Sequence, residues 1–98
     1  MANRLKSNPI VIDATDSAVP GPLHIQAIAW MSTQVSGMDI AADDDLTLKS
    51  RDATGAIVLE KRAETADDPL MISFSGGWNV PDGLYVEDLD GGQLYIWV

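Results

Sequence analysis

The chain has 98 residues, 15 Asp and Glu against 6 Lys and Arg, a net charge of -9 and no cysteine. That length holds one domain around one core, and the lack of cysteine excludes disulfides and thiolate metal sites. No Lys or Arg follows Arg62, whereas Glu64, Asp67, Asp68, Asp82, Glu87, Asp88 and Asp90 do, so direct nucleic-acid binding, which needs clustered cations, is disfavoured.

In chain order, residues 1–8 read as a short basic arm carrying Arg4 and Lys6. The apolar run behind it, Ile10 to Ile12, is too short for a signal peptide. No stretch reaches the ~18 apolar residues of a membrane span, and the sequence predicts a soluble protein made in the cytoplasm, without membrane contact. Pro9 to Ala14 reads as a first strand, and "SAVPGP", Ser17 to Pro22, as a rigid connection. Leu23 to Met31 forms the next strand. There Leu23, Ile25 and Ala27 share one face while Ile28 and Trp30 fall on the other, which requires either two covered faces or a bulge.

Leu46 and Leu48 alternate with Thr47 and Lys49. The turn residues of "RDATG", Arg51 to Gly55, then lead into Ile57, Val58 and Leu59, which predicts a hairpin. Leu59 to Asp68 contains good helix formers but no apolar stripe, so a strand running into a polar loop is expected. Leu70, Ile72 and Phe74 alternate with Met71, Ser73 and Ser75, which predicts another strand that ends at the glycine pair Gly76 and Gly77. Leu84 to Glu87 and Gln93 to Val98 flank "DLDGG" as a second hairpin. In its last strand Leu94, Ile96 and Val98 are expected in the core and Tyr95 and Trp97 on the opposite face, with both edges of the strand paired. The sum is one domain over residues 1–98, an all-β sandwich or small barrel of about six to eight short antiparallel strands.

Catalytic chemistry finds no foothold in the pattern. His24, the only histidine, sits in a predicted strand, and Ser32, Ser36, Ser50, Ser73 and Ser75 lie in no nucleophile motif. The acidic stretches "DIAADDD" (Asp39, Asp43, Asp44, Asp45) and "EDLDGG" (Glu87, Asp88, Asp90) have carboxylates that calcium could use, but not the EF-hand spacing; they read as turn residues. Neither a cofactor nor a metal is expected. Trp30, Trp78, Trp97, Tyr85 and Tyr95 are many amphipathic aromatics for one small domain, and Trp and Tyr dominate binding hot spots. A protein-contact module is the reading that follows.

The progression "NRLKSNPIVIDAT", "IQAIAWMS", "LTLKSRDATGAIVLEKRA" and "WNVPDGLYVEDLDGGQLYIWV" resembles small β-rich virion proteins of tailed bacteriophages. Ile25, Ile28 and Trp30 match an "I-x-x-I-x-W" strand; Asp52, Gly55 and Val58 match a "D-x-x-G-x-V/I" hairpin. Gly83, Leu84, Val86, Leu89, Gly92, Leu94, Tyr95 and Ile96 match the closing segment. The resemblance implies a structural role on the exterior of the virion: a decoration or cement protein, without enzymatic activity, that binds the major capsid protein and forms a homo-oligomer, a trimer foremost. The expected contacts are Asn3, Arg4, Lys6 and Pro9 of the arm against the shell, with Trp30, Trp78, Tyr95 and Trp97 in subunit packing. A tail, neck or fibre component is the alternative within the same class, and a lectin-like carbohydrate-binding module the alternative outside it.

Overall fold

A computed structural model describes residues 8–32 and 39–98. The described chain is all-β, with eight strands: β1 (Ile10–Ile12), β2 (Ser17–Val19), β3 (Leu23–Met31), β4 (Asp45–Ser50), β5 (Ile57–Arg62), β6 (Leu70–Val80), β7 (Leu84–Leu89) and β8 (Gln93–Trp97). They form two antiparallel four-stranded sheets. The front sheet has the order β1-β8-β3-β6 and the back sheet β2-β7-β4-β5. Between them lies one core, with Ile12, Ile25, Ile28, Trp30, Leu94 and Ile96 from the front and Leu46, Leu48, Leu84 and Val86 from the back, all fully buried. Period-two alternation places these residues inward and their neighbours outward.

The terminal strand is interior, flanked by β1 and β3 (Ile10↔Ile96, Ile28↔Ile96). Leu94 and Ile96 are core residues as expected, but Val98 lies beyond the strand and is 42% exposed. Its backbone is held by the Asn8 side chain, which donates through Nδ2 to the Val98 carbonyl (3.0 Å) and accepts the Val98 N–H (3.0 Å).

Two expected connections differ. Ser17–Val19 is a strand, paired with Leu84–Val86 of β7. The segment "DLDGG" does not close a hairpin, because β7 belongs to the back sheet and β8 to the front. Indeed only β4 and β5 form a hairpin within one sheet; every other connection between successive described strands crosses the sandwich. The local turn chemistry is the same in both cases, and long-range pairing decides between them: β7 takes β2 and β4 as neighbours while β8 takes β1 and β3.

Crossing connections must pass one another closely. Gly21, between β2 and β3, stands against Gly83, between β6 and β7, so tightly that a Cβ on Gly21 would lie 2.4 Å from the Gly83 nitrogen and 2.7 Å from the Pro81 carbonyl oxygen. Both obstacles are backbone, which cannot swing aside. Substituting Ala for a glycine at an ordinary φ commonly stabilises by about 0.4–1 kcal/mol through the unfolded chain. Here the sign should reverse: Gly21→Ala is expected to destabilise by about 2 kcal/mol or more, read as a lower urea midpoint at unchanged m-value.

Candidate functional site

The two outer faces of the sandwich differ in chemistry. On the front sheet β8 presents Gln93, Tyr95 and Trp97, β3 presents Ala27, Ala29 and Met31, β6 presents Met71 and Ser73, and β1 presents Val11, as the alternation with core residues and the register require. None is charged. One cross-strand row runs Val11, Tyr95, Ala29, Met71 and the next Trp97, Ala27, Ser73. Residues opposite one another on a face are in side-chain contact range, and Tyr95 and Trp97 stack with centroids 6.1 Å apart and planes 29° from parallel. The Tyr95 hydroxyl donates to Gln93 Oε1 (2.7 Å). Met71 is 66% exposed.

The back sheet is charged. Asp45, Thr47 and Lys49 of β4, Glu60 and Arg62 of β5, and Glu87 and Asp88 of β7 form its outer surface. Arg62 donates through Nε to Asp45 Oδ1 (2.9 Å) and through Nη2 to Oδ2 (3.2 Å), which holds the Asp45 carboxyl below the ordinary carboxylate range. Lys49 pairs with Glu87 at 2.7 Å. Asp88 is pushed the other way, by its partial burial and then by the charges of Asp90, Glu87 and Asp45.

The expected contact residues separate accordingly. Tyr95 and Trp97 are half-buried neighbours on the uncharged face. Trp30 is a correction: it is 0% exposed in the core, and its indole N–H donates to the Gly91 carbonyl (2.8 Å), so it cannot serve as a contact. The bulge in β3/β6 put it there, since the register shifts between Ile25 and Ala27 and brings Ile25, Ile28 and Trp30 onto one face. Pro9 is half-buried at the start of β1, and the Asn8–Val98 pairing sets the root of the arm beside the Trp97 end of β8. Asn3, Arg4 and Lys6 lie outside the described residues.

Trp78 lies elsewhere, in a cleft of ≈ 640 Å³ along the open side of the sandwich, between edge strands β5 and β6, with Val58, Leu59, Ile72 and Phe74. Phe74 and Trp78 meet at 5.3 Å with planes 43° apart. Sequence reading missed this cleft. In β6 the four residues from Phe74 to Gly77 stand opposite Gln26 alone, and the strand continues through the glycine pair rather than ending there. The His24 ring covers Gly77, and its Nδ1 is hydrogen-bonded to Asn79 Oδ1, which fixes the bulge that carries Phe74.

The acidic stretches serve turns. Asp44 accepts the Ala41 N–H (2.8 Å), Asp90 the Asp45 N–H (2.9 Å), Asp52 the Thr54 N–H (3.0 Å) and Asp68 the Glu64 N–H (3.1 Å). Among the described residues no three carboxylate or histidine side chains converge as metal ligands would. No protein-family model, curated protein or solved structure matches this chain.

Two tests follow. Gly76 and Gly77 both have positive φ (79° and 83°), where alanine costs about 1–2 kcal/mol, but a Cβ on Gly76 meets open space and one on Gly77 meets the His24 ring. Gly77→Ala should therefore lower the melting temperature more than Gly76→Ala, and adding His24→Ala should recover the difference. Asp88 binds its proton more tightly folded than at its ordinary 3.8, so its contribution to stability falls as pH rises from 3.8 through the raised value. Asp88→Asn is expected to raise the melting temperature at pH 7, by less than about 1 kcal/mol for so accessible a group, and the gain should vanish below pH 3.8.

Proposed function

We propose that this chain is a non-enzymatic contact module which docks onto a protein assembly through the outer face of its front sheet. The assembly is the outer shell of a tailed-phage head, where the chain acts as a decoration or cement protein. The observation that carries the docking mode is the uncharged face bearing Tyr95, Trp97 and Met71 on a chain of net charge -9. Interface cores are depleted of charge and enriched in Tyr, Trp and Met. Tyr95 and Trp97 on β8 and Met71 on β6 stand on either side of the small residues Ala27 and Ala29 of β3. The resemblance of the strand progression to small virion proteins supplies the identity of the partner, the major capsid protein, and the trimer as the favoured oligomer. Asn8, which precedes β1, is bonded to Val98 next to Trp97, and Arg4 and Lys6 are proposed to act on the same partner.

The test is co-sedimentation. Particles banded from a lysate that contains the chain should carry it at a fixed ratio to the major shell subunit, and its appearance only in the free fraction would overturn the reading. Trp97→Ala should cut occupancy by at least about 30-fold, equivalent to about 2 kcal/mol, with little change in melting temperature. Replacing Arg4 and Lys6 by Ala should weaken binding most at low salt. Localisation at the tail or neck would transfer the module to that site, and chelator-sensitive binding to a glycan array would replace the reading with the lectin-like one.

A further inference from the structure

Each sheet of a sandwich ends in two edge strands whose outward N–H and C=O groups lack a ladder partner, and such edges are ordinarily kept short, bulged or charged. Among the described residues three of the four edges follow that rule. β1 and β2 have three residues each, and β6 is interrupted by the bulge from Phe74 to Gly77. The fourth, β5, follows it only in part: it is six residues long, its register against β4 shifts at Val58 and its second half, Glu60 to Arg62, is charged, but its first half is apolar at the surface, with Ile57 54% and Val58 41% exposed. Its inward side opens on the cleft, where Leu59 faces Ile72, Phe74 and Trp78.

We infer that the β5 edge and this cleft form a receptor for an extended segment of a basic partner protein, which adds to the back sheet as a fifth strand. A strand placed beside β5 must alternate. Its inward side chains enter the cleft and are apolar, since the walls are Leu59, Ile72, Phe74 and Trp78. Its outward side chains join the outer face of the back sheet beside Glu60, where Asp45, Glu60, Glu87 and Asp88 outnumber Lys49 and Arg62. Lys or Arg at those alternate positions complements that charge. Main-chain bonds to β5 supply affinity, and the cleft and the acidic face supply the pattern, as in other recognition by strand addition. This receptor is separate from the front-sheet contact and needs no particle.

The experiment uses the whole chain and a labelled nine-residue peptide in which Lys alternates with Val and Ile. An isomer with its lysines grouped at one end and a Glu-for-Lys version serve as controls. Binding by fluorescence anisotropy is expected for the alternating basic peptide, at least about tenfold tighter than for either control. On the bound wild-type chain, amide exchange should slow at Ile57 to Glu60. Phe74→Ala should weaken binding about tenfold while the melting transition remains cooperative. Equal binding of the grouped isomer would reduce the effect to charge and overturn the inference. So would protection confined to β3 and β8, or a concentration-dependent dimer of the chain alone that protects β5, which would assign the edge to a second copy.

Discussion

The hydrogen bond from the Trp30 indole to the Gly91 carbonyl is the constraint on which the sandwich most depends. Because successive strands so often lie in opposite sheets, few contacts between them are local, and each crossing must be fixed by something other than a hairpin. The crossing from β7 to β8 is held from both sides. Trp30, at the centre of the front sheet, takes the Gly91 carbonyl, while Asp90 accepts the Asp45 N–H through Oδ2 and donates its own N–H to the Asp45 carbonyl (3.2 Å) at the back. A buried Trp requires a partner for its N–H, and an unmet carbonyl at this depth costs about 1–3 kcal/mol. With both satisfied, β8 enters the sheet in the register that puts Leu94 and Ile96 in the core.

Strand positions were legible because a half-buried strand writes its alternation into the sequence; Leu46 and Leu48, Leu94 and Ile96, and the face change within Leu23–Met31 are all of that kind. β2 was not legible, since three residues, Ser17 to Val19, are too few for a period, and flanking prolines and glycine read as a turn. Sheet membership was not legible either. "DLDGG" would serve a hairpin or a crossing equally well, and the choice is made by residues far off in sequence, Trp30 and Asp45 among them. Trp30 illustrates the limit for the site: its residue type suggests a contact and its strand a face, yet only the bulge at Gln26 decides which face. The cleft depends on the separation of two edges that share no sequence neighbourhood, so no local pattern announces it.

The distribution of charge links the fold to the proposed function. Fifteen carboxylates on 98 residues give the chain a net charge of -9, which favours solubility, and acid at the turns costs little where a backbone donor meets it, as at Asp44, Asp52, Asp68 and Asp90. The front strands carry none of this acidity on their outer face, whereas the back strands carry Asp45, Glu60, Glu87 and Asp88. An uncharged aromatic face on a strongly acidic body is what the proposed docking requires: a surface that matches it in apolarity can approach, while unrelated acidic surfaces are repelled by the charge around it.

The same reasoning explains why the exposed apolar residues of β5 are tolerated. Val58 is followed at once by Leu59, Glu60, Lys61 and Arg62, so the apolar half of the edge abuts a charged half. Among self-pairings with a two-fold axis normal to the sheet, one sets Glu60 against its own copy and another sets Val58 against Glu60 and Ile57 against Lys61, so each places a charge against a like charge or an apolar neighbour; the register that sets Val58 against Val58 matches only the three residues Ile57 to Leu59, which disfavours indefinite edge-to-edge growth. A foreign strand with apolar and basic residues at alternate positions suffers neither conflict. The edge is thus guarded against its own kind and open to a chain of complementary pattern, so the alternation within β5 that closes the sandwich also selects what can extend it.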